Sequence, residues 1–399
     1  MCYRRLSGMF SQRTNWKLSP NPYTRALEEM RSTGGHFLDR TISNPTQCGF
    51  RYDEKAILAS FQNPKSLSYE PKAKGLLEAR QEVARYYKED HGVPVDPESL
   101  LLTTSTSEAY SYVFRLLCNP HDEILVPKPS YPLFDFLADL QDVSLIPYSL
   151  RYAQGWFVDF QSVIRALTPR TRAVLLVHPN NPTGSYVQTQ EVHRLNELCR
   201  ERNLALIVDE VFLDYSLLDR PRKTFVENQE SLTFTLSGLS KIAALPQMKL
   251  AWVATTGPEA LARSALDRLE VIADTYLSLN SPTQWAFPVL FEQRRSLQPQ
   301  LLNRIRENWD VLKSLVQGNS SGELLDTEGG WYAVLRIPGD RSDEELAIEL
   351  LQKAHVLVHP GHFYDFPSDG SLVVSLISPR TDFQQGISSL MEFLRSGEN

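Results

Sequence analysis

The chain has 399 residues, 42% of them hydrophobic and 22% charged, an ordinary globular balance that excludes wholesale disorder and collagen-like repeats. At roughly 150 residues per domain, the length points to two or three domains. Lys and Arg total 41 against 48 Asp and Glu, for a formal net charge of −7 with no basic block, so nothing calls for nucleic acid or an anionic membrane surface.

At the start, Met1-Cys2-Tyr3-Arg4-Arg5 is basic, but residues 6–10 are too short and too broken by Ser7 and Gly8 to form a secretory leader core. No apolar run reaches the roughly 18 residues that a membrane span needs. Cys2, Cys48, Cys118 and Cys199 lack metal-type spacing, so no disulfide framework and no metal site is expected. A cytoplasmic chain with reduced thiols is the expectation. The first 45 or so residues read as irregular, with Pro20, Pro22, Gly34, Gly35 and Pro45 breaking any long element.

From Pro71 the pattern becomes regular. Leu76, Ala79, Val83 and Tyr86 recur at helical spacing, and Gly92-Val93-Pro94 stops that helix. Short apolar runs then follow at 100–102, 124–126, 173–177, 204–208, 232–236 and 250–254, with helical patterns such as 108–118 and 190–202 between several of them. Continuous apolar strands alternating with helices predict an α/β domain whose mostly parallel sheet is buried on both faces. The tail differs. Strands at 331–335, 356–358 and 372–376 and helices at 343–353 and 382–395 predict a smaller α+β unit, against which the N-terminal segment packs. The expected division is 1–48, 49–285 and 286–399, with a connecting helix inside 272–290.

Ligands of a parallel α/β sheet sit at the carboxyl ends of its strands, so the polar residues following each apolar run are the candidates. The first run leads into Ser105-Thr106-Ser107 at a helix start, either an anion site or an ordinary cap. Run 173–177 leads into His178-Pro179-Asn180-Asn181-Pro182-Thr183-Gly184, by itself a tight turn. Run 204–208 ends on Asp209-Glu210, and 232–236 leads into Ser237-Gly238-Leu239-Ser240-Lys241. A lone strand-end carboxylate or lysine is commonly structural or solvated.

The combination and order of these motifs are more specific. Together with Tyr69 to Gly75 and Pro129-Ser130-Tyr131-Pro132, they make the chain resemble, over nearly its whole length, the class I/II aminotransferases of the fold-type I pyridoxal-phosphate enzymes. Spacings of 28 residues from Asn181 to Asp209 and 32 from Asp209 to Lys241 fit that family. The resemblance implies a homodimer that moves an amino group between an amino acid and a 2-oxo acid by a ping-pong cycle. In it Lys241 forms the Schiff base with pyridoxal 5′-phosphate, and Asp209 faces the ring nitrogen. Asn181 reaches the 3′-oxygen, and Tyr131 stacks on the ring. Ser105, Thr106, Ser107, Ser240 and Lys249 hold the phosphate, joined by Tyr69 across the dimer.

The chemistry follows for separable reasons. A buried carboxylate stabilises a protonated ring nitrogen, which makes the cofactor an electron sink. A desolvated lysine beside a cationic ring has a lowered pKa and serves as a base. A lyase, such as a C–S β-lyase or decarboxylase, and a catalytically weak cofactor-binding protein remain open on the same scaffold.

The sequence departs from the family pattern at three places. Phe212 replaces the tyrosine expected three residues after Asp209, and Lys249 replaces an arginine. Val373-Val374-Ser375 stands where an arginine grips the substrate carboxylate. Arg380, in Ser378-Pro379-Arg380, and Asn44, in Ser43-Asn44-Pro45, are the replacement candidates, beside Asn181.

Overall fold

The computed structural model describes residues 9–132, 134–219, 223–317 and 321–396; Cys2 and the rest of the basic start lie outside these. An eight-stranded sheet runs in the spatial order Leu100–Thr103, Ala251–Thr256, Thr233–Gly238, Ala205–Asp209, Thr171–Val177, Glu123–Lys128, Ser144–Tyr152, Trp156–Val158. The five strands from Thr233–Gly238 to Ser144–Tyr152 are mutually parallel. Strand Ala251–Thr256 is antiparallel to both of its neighbours, and Trp156–Val158 closes the other edge antiparallel to Ser144–Tyr152.

Period-2 alternation loads the two faces of each inner strand. Ala173, Leu175 and Ile207 pack on one side with Ala109 and Val113 of helix Thr106–Leu117 and Leu269 of helix Glu259–Tyr276. Val174, Leu176, Leu206 and Val208 pack on the other with Leu195 of helix Thr189–Arg202 and Val163 of helix Phe160–Ala166. Both faces are covered, as the continuous apolar runs require.

A four-stranded antiparallel sheet, Glu323–Leu324, Tyr332–Arg336, Ser371–Ser375 and His359–Pro360, packs against helices Asp343–Ala354 and Arg380–Ser396. Strand Val356–Leu357 stands outside it, paired in parallel with Leu38–Asp39, so the N-terminal segment joins this unit. Cys48, Cys118 and Cys199 are free thiols.

Several expectations are corrected. The N-terminal segment contains an 11-residue helix, Pro22–Ser32, because Pro22 occupies the first turn, where its missing N–H is harmless, and Asn21 caps it. Strand Ser144–Tyr152, half exposed and interrupted by Pro147, has none of the continuous apolar character of its neighbours. Residues 272–290 hold the end of helix Glu259–Tyr276, a break, and most of helix Ser281–Glu292. The long connector is instead the 23-residue helix Arg294–Val316. A division at 285 would cut helix Ser281–Glu292, whose Ala286, Phe287, Leu290 and Phe291 pack with Leu100, Leu102 and Trp252 of the large sheet.

Candidate active site

Register brings the motifs to one sheet edge. Thr103 and Gly238 both pair with Ala251, and Asp209 pairs with Val177 and Leu236. Ser105, Ser240, Lys249, Asp209 and Asn181 therefore all leave the sheet within a few residues of adjacent rows. A Cβ on Gly238 would approach the Ala251 Cβ to 2.8 Å, so glycine lets these strands close up beside the lysine turn.

Lys241 sits in the short helix Leu239–Ile242. Its Nζ lies 4.9 Å from the Trp331 ring and 5.6 Å from the Phe212 ring. Burial pushes the ammonium down to about 8, against the opposing pull of the Asp209 carboxylate. The turn is fixed from behind. The Tyr215 hydroxyl donates to the Lys241 carbonyl at 2.6 Å, and Gln298 of the connector helix donates to the Ile242 carbonyl at 3.0 Å.

Asp209 ends strand Ala205–Asp209 and is buried. Its Oδ1 accepts from the Val211 amide at 3.0 Å and its Oδ2 from the Tyr110 hydroxyl at 2.9 Å. Burial pushes this carboxyl up to about 6, while those two donors and Lys241 act in the opposite direction. A buried carboxylate facing a half-buried lysine is thus held close to its charge switch.

The turn from His178 to Gly184 is locked by Asn180, whose Nδ2 donates to the Pro129 carbonyl at 3.0 Å and to Thr183 at 2.9 Å. That bond ties the Asn181 and Tyr131 turns together. Gly184 has φ +70 and its amide closes on the Asn180 carbonyl at 2.7 Å, while a Cβ there would collide with Thr327 and Gly329. The Asn181 Oδ1 is buried with no hydrogen-bond partner. Tyr131 packs edge-on against Phe134 and remains 42% exposed, leaving ring surface available for stacking.

Ser105 caps helix Thr106–Leu117 and accepts from the Glu108 amide at 3.2 Å, while Thr106 and Ser107 occupy its first turn. Lys249 is exposed, with a left-handed backbone at φ +52 just before strand Ala251–Thr256. Tyr69 is 79% exposed on its loop.

The two replacement candidates for the carboxylate contact are placed elsewhere. Arg380 opens helix Arg380–Ser396, is exposed, and stands 4.0 Å from Glu307. Asn44 is exposed and its Oδ1 is occupied by the Thr46 amide and hydroxyl at 3.1 and 2.8 Å, a capping role. What the sequence left unmarked is the aromatic surround of Phe212: Trp331 at 5.2 Å and Tyr332 at 6.2 Å.

These residues fit pyridoxal phosphate. The set offers a counter-charge, a displaceable amine and hydroxyls at a helix start, and it offers them along one edge.

Residues 54–381 match the family model "Aminotransferase class I and II". The chain is 25% identical to the glutamate-pyruvate aminotransferase AlaA of Escherichia coli (strain K12), over 94% of each chain. It is 26% identical to an alanine aminotransferase of Mycobacterium tuberculosis, over 94% of this chain and 89% of that one. The solved structure of an alanine aminotransferase from Pyrococcus furiosus superposes with a TM-score of 0.88 at 20% identity, over 97% of this chain and 100% of that one. With the motifs in register at the sheet edge and the family model spanning most of its length, the chain belongs to the class I and II aminotransferases, pyridoxal-phosphate-dependent transaminases of fold-type I.

Proposed function

We propose that Lys241 and Asp209 carry the transfer of an amino group from an α-amino acid to a 2-oxo acid, with glutamate, alanine and pyruvate as the first substrates to test, since the relatives are named for them. The observation behind this is the oppositely perturbed pair at neighbouring strand ends: a carboxyl raised to about 6 and a lysine lowered to about 8. When bound, pyridoxal phosphate supplies the electron sink that makes a substrate Cα proton removable. Lys241 would hold the cofactor at its carbonyl carbon and, as a free amine, would carry the substrate Cα proton to that same carbon. Asp209 would stabilise a proton on the ring nitrogen. The Asn181 side-chain N–H would donate to the 3′-oxygen, and Tyr131 would cover one ring face. Ser105, Thr106, Ser107 and Ser240 supply hydroxyls to the phosphate, and Lys249 supplies charge.

The reading includes a homodimer with shared sites. Tyr69 at 79% and Leu67 at 92% exposure leave apolar surface on one loop that a second copy would cover. It also includes a cytoplasmic location; among the described residues no helix is long and apolar enough to cross a membrane.

A narrower reading of the substrate also has support. Strand Ser371–Ser375 carries valine at 373 and 374, and Arg380 faces Glu307, so a substrate carboxylate would rest on Asn181 and backbone donors, or the substrate would be an amine.

The test is borohydride reduction of the loaded protein with peptide mapping, followed by an amino-donor panel with product identification. Label on Lys241 and a 2-oxo acid product support the proposal. Label elsewhere, or pyruvate with ammonia, overturns it.

A further inference from the structure

We propose that Tyr110 is a positioning residue for Asp209, whose phenolic O–H holds the Oδ2 oxygen and keeps the carboxylate anionic to face the protonated ring nitrogen of the cofactor. This rests on the reading above. Tyr110 lies one turn into helix Thr106–Leu117, ~6 Å along the axis from the Thr106 end. One helix would thus serve both ends of the cofactor, its first turn the phosphate and Tyr110 the ring-nitrogen counter-charge.

The side chain is fixed. Tyr110 is 3% exposed, and its ring is wedged between Phe134 at 5.3 Å and Phe114 at 5.9 Å. Its hydroxyl reaches Asp209 Oδ2 at 2.9 Å, the only side-chain hydrogen bond this carboxylate receives among the described residues. The other groups that face Asp209 are the Val211 amide on Oδ1, the Lys241 ammonium and the Tyr131 phenol.

A phenylalanine would fill nearly the same volume. What it would lack is a donor that favours the charged carboxylate over the neutral acid. Burial drives Asp209 toward the neutral form, which has no charge to set against a pyridinium. Tyr110 opposes that drive at the one oxygen that no backbone amide reaches.

The experiment uses full-length Tyr110→Phe, which keeps the ring and deletes the hydroxyl. In cofactor-free protein, isotope-edited infrared spectroscopy follows the Asp209 carboxyl, with Asp209→Asn as the blank. The Asp209 titration should rise by at least about one unit. Binding is then measured with two probes, pyridoxal phosphate and its analogue with carbon in place of the ring nitrogen. Affinity for pyridoxal phosphate should fall about tenfold, affinity for the analogue less than twofold, and both effects should vanish in an Asp209→Asn background. Phe114→Leu loosens the same helix face without touching either polar group. Its reproducing the Tyr110→Phe pattern would assign the effect to packing and overturn the proposal. Equal weakening of both probes, or an unmoved titration, would overturn it as well. Those results can arise with the transaminase intact, whereas wild-type protein that fails to capture pyridoxal phosphate on Lys241 would bring down the wider reading and this one together.

Discussion

Replacing Asp209 by Asn should make Lys241 a weaker base in the cofactor-free protein. Burial alone pushes the lysine down, and the neighbouring carboxylate is the group that raises it to about 8. A shift of one unit is ~1.4 kcal/mol. At an effective dielectric of ~20, that is the interaction of two unit charges ~12 Å apart. Lys241 follows the strand adjacent to the one that ends in Asp209, and neighbouring strands are ~4.8 Å apart, so a separation within that limit is expected. The substitution should therefore lower the Lys241 value by about one unit or more, to near 7. The assay is the pH profile of covalent capture of a neutral aldehyde such as salicylaldehyde, trapped with cyanoborohydride and mapped to Lys241, with Lys241→Ala as the blank. The inflection carries the result, since a weaker base is also a weaker nucleophile and rates at one pH would mix the two effects. An inflection that stays at about 8 or moves up would mean that Asp209 does not face the lysine as an anion, and the proposed pair would fail.

Asp209→Asn should also stabilise the cofactor-free protein at alkaline pH. The folded-state value of Asp209 is raised to about 6, so the stability it contributes is present below its ordinary value of 3.8 and is lost as pH rises through about 6. The melting temperature of the variant should exceed that of wild type by on the order of 1–3 °C at pH 8, with the gap closing toward pH 4; a gap that widens on acidification refutes the sign. Arg380→Ala should change kcat/KM for amino acids by less than about threefold, because surface ion pairs such as Arg380–Glu307 contribute ~0–1 kcal/mol; a loss near 100-fold would return Arg380 to the substrate site. Phe212→Tyr should move the pH-dependent absorbance change of the protein-bound cofactor to lower pH, since a new donor near Lys241 favours the anionic 3′-oxygen; no movement would place residue 212 out of its reach.

The sequence pattern reached far where one physical cause dominated. Burial on both faces writes continuous apolar runs, so the inner strands and the polar residues at their ends were readable, Asn181, Asp209 and Lys241 among them. Strand Ser144–Tyr152, near the sheet edge, escapes the rule because it is half exposed and written with Ser, Pro and Tyr. Pro22 reads as a breaker until it is placed at a first turn. Tyr110 looks like one more apolar position on a helix face, and only the fold shows that its hydroxyl meets a residue 99 positions away. Trp331 reads as a strand residue; its place beside Lys241 comes from long-range packing that no local spacing encodes. Arg380 follows the strand closely in sequence, but the helix it opens sets its side chain on the surface beside Glu307.

Adjacent carboxylates make the same point at the scale of one residue. Glu210 is perturbed as much as Asp209, pushed up to about 7 by burial, so a search for shifted acids returns both. Strand periodicity separates them, because successive side chains leave opposite faces. Glu210 turns to the Thr224 hydroxyl and the Phe225 amide, both at 2.6 Å. Behind that face, His91 pairs with Asp214 at 3.1 Å and Tyr86 donates to the same carboxylate at 2.9 Å, a closed network beside Glu210. Asp209 turns the other way, toward Lys241 and Tyr110. A one-residue slip in the pairing of Asp209 with Val177 and Leu236 would exchange the two, aiming a glutamate at the lysine and burying the aspartate among the donors behind. The register of three buried strands therefore selects which carboxylate faces the lysine, and the apolar residues that fix the register are as much a condition of the site as the polar ones that form it.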